Sequence, residues 1–233
     1  MRALPPAAFR LVKKTGIWYG YAMSLVYRNS NLILASKSPR RRQLLEHAGL
    51  KVTVIPSNFS ENSTRRQDPP AYARVLAEGK SSAVARLHPD DWVVGADTIV
   101  VVDDRILGKP ASGKEARTML GQLSGRAHEV YTGWCLQRFG RAYRFSQTVK
   151  TEVYFKHLSP GEIEWYLQTG EPFDKAGAYG IQGPGAFLVK EIRGSYTNVV
   201  GLPVCEVLDH LLTANIVQLN PSRGSTERMP DLP

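Results

Sequence analysis

The sequence predicts an α/β fold: a mixed, twisted central sheet flanked by helices on both sides, with a cleft between two lobes. Two observations carry that expectation. Near-continuous apolar runs at 32–35 and 92–102 read as strands covered on both faces. Segments such as 71–87 and 112–123 repeat apolar residues at helical spacing, as helices laid on a sheet do. No internal repeat is present, which argues against solenoids and coiled coils. At 233 residues and 42% hydrophobic, the chain can bury a real core and is most simply one domain.

Charge divides the chain into three parts. Residues 1–30 hold Arg2, Arg10, Lys13, Lys14 and Arg28 with no acid, a net +5. They are expected to form a poorly ordered basic extension, or to follow a start upstream of the native one, with Met23 as the candidate start. Residues 214–233 are neutral and rich in Pro, Ser and Arg, and are expected to be a disordered tail. That leaves +4 on the domain, 31–213, which suits an enzyme handling a polyanionic small molecule better than a nucleic-acid binder.

Cys135 and Cys205 set no disulfide or zinc framework. Asn58 and Asn62 each open a glycosylation pattern that means nothing without secretion. No apolar run reaches the roughly 18 residues a membrane helix needs. The first 30 residues lack a clean apolar core and cleavage site for a signal peptide. The expected compartment is cytoplasmic, with no membrane or nucleic-acid partner.

Taken in order, Leu32–Ala35 is a short core strand that breaks into a hydroxyl-rich loop. Ser38 reads as a helix N-cap with Pro39 at the first helical position. Leu44, Leu45 and Ala48 give that helix its apolar stripe, and Gly49 closes it. Arg40, Arg41 and Arg42 crowd its first turn, the wrong end of the helix dipole for cations. Arg40 and Arg41 therefore point to an anion site, since helix N-termini and guanidinium forks both bind phosphate. Arg42 has Glu46 four residues on and reads as surface.

Val52–Ile55 is a second strand, followed by a polar loop to Pro70 in which Glu61 is a surface acid or a metal ligand. The helix Ala71–Leu87 carries Lys80 on its core face, either snorkelling to the sheet edge or directing its charge into a cleft. The run Trp92–Val102 is interrupted by Asp97, a carboxylate too costly to bury unless paired, hydrogen-bonded or metal-bound. Asp97 is accordingly a catalytic or metal-binding candidate.

A return strand from Arg105 ends at Gly108-Lys109-Pro110, a common place for a phosphate-binding side chain. Ser112 with Glu115 reads as a capping box, and Ser159-Pro160-Gly161-Glu162 caps a further helix. Between them lie β-rich runs at 129–139 and 143–155. The loop 173–185 holds four glycines and a proline, which allow close approach to a flat ligand. It fits neither the P-loop nor the dinucleotide fingerprint. A strand over 186–192 follows, then a turn, a short strand and a last helix with Pro203 near its first position.

In their order, Ala35-Ser36-Lys37-Ser38-Pro39-Arg40-Arg41, Gly95-Ala96-Asp97-Thr98, Gly108-Lys109-Pro110 and Gly194-Ser195-Tyr196 with Val199-Val200-Gly201-Leu202-Pro203 form a specific combination. With them, the chain over about 31–213 resembles the Maf family of nucleoside triphosphate pyrophosphatases, the septum-formation proteins. The run Asp174–Gly183 looks like the branch acting on dTTP and UTP, and the sister branch taking 7-methyl-GTP carries a different loop there. The resemblance implies hydrolysis to the monophosphate and pyrophosphate in a nucleotide-binding cleft, with a divalent cation, Mg²⁺ or Mn²⁺. It implies Asp97 as proton acceptor for water, and Arg40, Thr98 and Gln182 as specificity positions. Ser36, Arg41, Lys80 and Lys109 are the implied phosphate-site residues. Asp97 is the implied metal ligand, and Glu61 matches a second one by position in a variable loop. Modified pyrimidine nucleotides are an alternative substrate, and a link to cell-division arrest is a further expectation. Assembly is not readable from the sequence, and a homodimer is compatible with the resemblance. The alternative reading is a non-catalytic nucleotide-binding or cell-division regulator using the basic arm.

Overall fold

The computed structural model describes residues 10–14, 17–21, 23–27, 31–60 and 68–221. In chain order, β1 (Arg10–Lys14) and β2 (Ile17–Tyr21) form an antiparallel pair. After β3 (Met23–Tyr27) comes β4 (Leu32–Leu34), which leads into α1 (Pro39–His47) and β5 (Thr53–Val54). Helix α2 (Pro69–Ala85) precedes the long strand β6 (Trp92–Val102) and its short return β7 (Arg105–Leu107). Then follow α3 (Gly113–Leu123), β8 (Ala127–Arg138), β9 (Tyr143–Phe155) and α4 (Pro160–Gln168). The chain continues through β10 (Val189–Arg193), α5 (Tyr196–Val200), α6 (Val204–Thr213) and β11 (Val217–Pro221).

The central sheet runs β10-β9-β8-β6-β4-β5, with β7 also on β6. Strand β4 is parallel to β5 and β6, whereas β6, β7, β8, β9 and β10 pair antiparallel, so the sheet is mixed as expected. Strands β4 and β7 share the edge of β6 that β8 does not occupy. The first covers residues 92–94 and the second 100–102. Residues 95–99 thus face a gap in the sheet.

Alternation along β6 sorts its side chains onto two covered faces. On one face, Trp92, Val94 and Ala96 join a core with α1 and α6, while Val100 and Val102 join another with α3 and α4. Thr98 lies between them. The two expected lobes are these two cores. On the other face, α2 packs so closely that a Cβ on Gly95 would meet the Ala77 carbonyl oxygen at 2.6 Å. One on Gly133 would meet the Ala73 backbone at 2.3 Å. Two glycines on neighbouring strands therefore let the backbone of α2 rest on the sheet.

Several expectations shift. The hydroxyl of Ser38 makes no capping bond, although Ser38 occupies the N-cap. Glu115 closes back on the Ala111 amide rather than on the N-cap amide, whereas Ser159 and Glu162 form the complete capping box. The expected strand at 186–192 begins only at Val189, because Gly183–Leu188 winds into 3₁₀ turns. The short strand expected in 194–203 is the helix α5, capped by the Ser195 hydroxyl accepting from the Asn198 amide at 3.2 Å. Packing continues beyond residues 31 and 213. Ile216 and Val217 are buried, β11 pairs antiparallel with β3, and Leu25 packs on the α1–α6 core. Apolar residues on each ribbon strand supply the burial that the polar surroundings concealed.

Candidate active site

The site forms where β4 ends and β6 continues with only β8 beside it. The Ala35 amide still donates to the Val94 carbonyl at 2.8 Å, and the chain then leaves the sheet through Ser36 into α1. Open ends of parallel strands are the usual place for ligands in α/β sheets.

Arg41 is held by all three of its nitrogens. Nε donates to the Gly201 carbonyl at 2.8 Å, Nη1 to the Ser36 hydroxyl at 3.2 Å and Nη2 to the Thr98 hydroxyl at 3.2 Å. Ser36 also accepts from the Ser38 amide at 3.2 Å. Both acceptor positions of Ser36 are then engaged, and its own proton is left to donate. Behind Thr98 lies a buried polar belt between the two cores. The Thr132 hydroxyl stands 2.8 Å from that of Thr98 and donates to the Asn198 carbonyl at 2.9 Å. The Asn198 amide group donates to the Val130 carbonyl and to the Thr151 hydroxyl.

Asp97 projects to the opposite face, where Lys80 lies within the core-facing stripe of α2. The Lys80 ammonium hydrogen-bonds the Asp97 carboxylate, and the side chains are only 16% and 12% exposed. This resolves both open readings: the lysine on the core face directs its charge inward, and the interrupting acid is paired. The ammonium compensates a carboxylate that would be very costly to bury alone. Because the sheet is gapped at 95–99, Thr98 with Arg41 and Asp97 with Lys80 flank one interruption from its two sides.

Arg40 is less committed. It reaches Asp174 at 3.5 Å with 32% and 67% of the side chains exposed, a contact of small worth that a ligand can displace. Burial pushes the Asp174 carboxyl up, yet Lys175 and Arg40 beside it hold it below the usual carboxylate range. Arg42 pairs with Glu46 at 2.7 Å on the exposed face, as its spacing predicts.

Lys109 and Gln182 are exposed and make no hydrogen bond or ion pair with the described residues. Their segments meet where the Gly177 amide donates to the Gly108 carbonyl at 3.0 Å. The glycine-rich loop is tighter than expected for a ligand platform. A Cβ on Gly177 would meet Val100 at 2.9 Å and one on Gly185 the Gly180 carbonyl oxygen at 1.9 Å, so both serve contacts within the protein. Glu61 lies outside the described residues. Among those residues, no three His, Cys, Asp or Glu side chains gather as a metal cage. No helix among them is long and apolar enough to cross a membrane.

Sequence reasoning missed Thr132, Thr151 and the side chain of Asn198. For the two threonines the signal is a polar residue at an inward position of a strand, visible only once the register places Thr132 opposite Thr98, and Asn198 lies on the helix α5.

A mixed α/β sheet interrupted at the end of a parallel strand, with guanidinium, hydroxyl and an ammonium-paired carboxylate about the interruption, defines a protein built to receive a polyanion beside a polar reacting group. Residues 31–214 match the Maf-like protein family, and the chain belongs to it. Similar curated relatives include the "dTTP/UTP pyrophosphatase" of Syntrophus aciditrophicus, 50% identical over 77% of this chain and 88% of the relative. Those so named from Geobacter sp. (strain M21) and Halalkalibacterium halodurans are 49% and 55% identical, over 79% and 74% of this chain and 95% and 90% of theirs.

Proposed function

We propose that the chain is a nucleoside triphosphate pyrophosphatase that hydrolyses dTTP and UTP to the monophosphate and pyrophosphate. The observation that carries the reading is the Asp97 carboxylate held by Lys80 at the gap in the sheet beside β6, with the Arg41 clamp across it. The names borne by relatives about 50% identical support the substrate class.

In this reading water attacks the α-phosphorus, the bond from that phosphorus to the α–β bridging oxygen breaks, and pyrophosphate leaves. Asp97 takes the proton from the attacking water, and Lys80 orients the carboxylate that does so. Arg41, with the free donor of Ser36, neutralises phosphate charge at the end of β4. Arg40 leaves Asp174 to join it, and Lys109 reaches in from its exposed position.

Gln182 reads the base: its carbonyl accepts from pyrimidine N3–H and its amide donates to O4. Thymine and uracil differ by one methyl, worth about 1–3 kcal/mol in a pocket, so dTTP and UTP are discriminated weakly. Modified pyrimidine nucleotides fall within the same recognition, and a panel of kcat/KM values ranks them.

The described residues fit a divalent cation that arrives with the triphosphate. They offer the Asp97 carboxylate and, among them, no cluster of three ligands, and Mg²⁺ is commonly held by one or two carboxylates plus substrate phosphates rather than by an all-protein cage. When bound, such an ion neutralises phosphate charge and polarises the phosphoryl oxygens.

Product analysis tests the proposal. Incubation with dTTP and Mg²⁺ or Mn²⁺ is expected to give dTMP and pyrophosphate, and Asp97→Asn to lose at least about 100-fold in kcat. Release of dTDP and orthophosphate, or wild-type turnover by Asp97→Asn, overturns it.

A further inference from the structure

The hydroxyl groups behind Arg41 can be ordered by counting protons. Thr132 is fully buried and has one proton to give. It lies 2.9 Å from the Asn198 carbonyl and 2.8 Å from the Thr98 hydroxyl. Thr98 likewise has one proton, with Thr132 at 2.8 Å and the Gly201 carbonyl at 3.4 Å as its acceptors. If Thr132 gave its proton to Thr98, Thr98 would be left with the long contact to Gly201. The opposite order, Thr98 to Thr132 to the Asn198 carbonyl, makes two bonds of ordinary length, and each strengthens the next. Arg41 Nη2 then occupies one lone pair of Thr98 at 3.2 Å. One lone pair remains.

We propose that Thr132 is a positioning residue of this site: it fixes the Thr98 hydroxyl as a donor into the protein, so that Thr98 meets the substrate complex only as an acceptor. Thr98 then takes a hydrogen bond from an N–H or from water and gives none to a phosphate oxygen. Ser36 has the opposite polarity, with both acceptor positions engaged and its proton free for an anion. The two hydroxyls that grip Arg41 therefore face the cleft with different signs, one suited to a phosphate oxygen and one to a donor. Asn198 completes the device. It has no exposure, and its amide group is tied to the Val130 carbonyl and the Thr151 hydroxyl at 3.1 and 3.0 Å. The carbonyl that ends the relay is therefore held in place.

The inference rests on the pyrophosphatase reading and deepens it. Its test is a double-mutant cycle with dTTP, measuring kcat, KM and thermal midpoint for Thr132→Val, Thr98→Val and the double variant, with Thr132→Ser as the rescue. Thr132→Val is expected to lose about five- to tenfold in kcat/KM, the equivalent of one hydrogen bond. Thr132→Ser is expected to recover to within about twofold, since it keeps the hydroxyl. The double variant is expected to match Thr98→Val alone, because Thr132 acts through Thr98. Where valine prevents folding, Thr132→Cys keeps the volume and carries the same expectation of loss and non-additivity. Wild-type kcat/KM in Thr132→Val, a serine variant no better than valine, or losses that multiply in the double variant each overturn the proposal. A wild-type protein that turns over neither dTTP nor UTP overturns the pyrophosphatase reading instead. The same cycle, read as Kd for dTTP by calorimetry with the same expected non-additivity, then decides the role of Thr132.

Discussion

At the scale of single residues, the site depends on groups tied down before any ligand arrives. Arg41 spends one donor on each of three protein acceptors, which fixes the plane of the guanidinium. Lysine at this position keeps the charge and loses the fork. Arg41→Lys is expected to lower kcat/KM for dTTP about 10- to 100-fold, the worth of one charged hydrogen bond or more, in steady-state assays. Lys80 and Asp97 form a nearly buried pair, so removing one partner costs more than the pair contributes. Lys80→Met is expected to destabilise the protein by about 3 kcal/mol in denaturant unfolding. Adding Asp97→Asn is expected to restore part of that loss, because the carboxylate that has lost Lys80 is then neutral.

At the scale of elements, the placement of Lys80 is a property of how α2 lies on the sheet. Gly133 has the Ala73 backbone where a Cβ would sit, whereas Gly121, on the exposed side of α3, has open space. Gly133→Ala is expected to cost about 1–3 kcal/mol and to depress activity by lifting α2 from the strand that bears Asp97. Gly121→Ala is expected to gain about 0.5–1 kcal/mol with activity unchanged, so thermal melts and kcat/KM of the two variants separate packing from helix propensity. Much of this arrangement was legible in the sequence. The apolar run broken by Asp97 and the stripe of α2 that includes Lys80 are local patterns, and they marked both partners of the pair. The loop Ser36–Arg41 was legible for the same reason. Thr132 and Asn198 were not, because their roles depend on a register between strands more than 30 residues apart and on a short helix that looked like a strand. The glycines at 177 and 185 were misleading: composition signals close approach but not whether a ligand or the protein's own backbone makes it.

At the scale of the whole molecule, the two cores share one sheet and meet at the polar belt, so the stability of either lobe bears on the cleft. His128 anchors the α3–α4 side, with Nε2 at 2.7 Å from the Tyr179 hydroxyl and its ring edge-on to Phe155. Burial pushes its pKa from an ordinary 6.5 down to about 4, so it stays neutral in the folded protein while the unfolded chain takes up a proton first. Its contribution is therefore complete above pH 6.5 and is lost as pH falls toward 4. The total loss is of order 3 kcal/mol, and denaturant unfolding at pH 7, 5.5 and 4 measures it. His128→Gln is expected to flatten that part of the pH profile.

The ribbon of β3 and β11 pairs Met23 with Pro221, residues far apart along the chain. During synthesis the first of these strands emerges roughly 200 residues before its partner, on the order of 10–40 s at ordinary elongation rates. By the time Val199 has emerged the α3–α4 core is complete in sequence, whereas the α1–α6 core still lacks α6 and β11. Two lobes that are equal partners in the finished molecule are thus unequal in time. The lobe bearing Ser36 and Arg41 starts before the other and is the last to close.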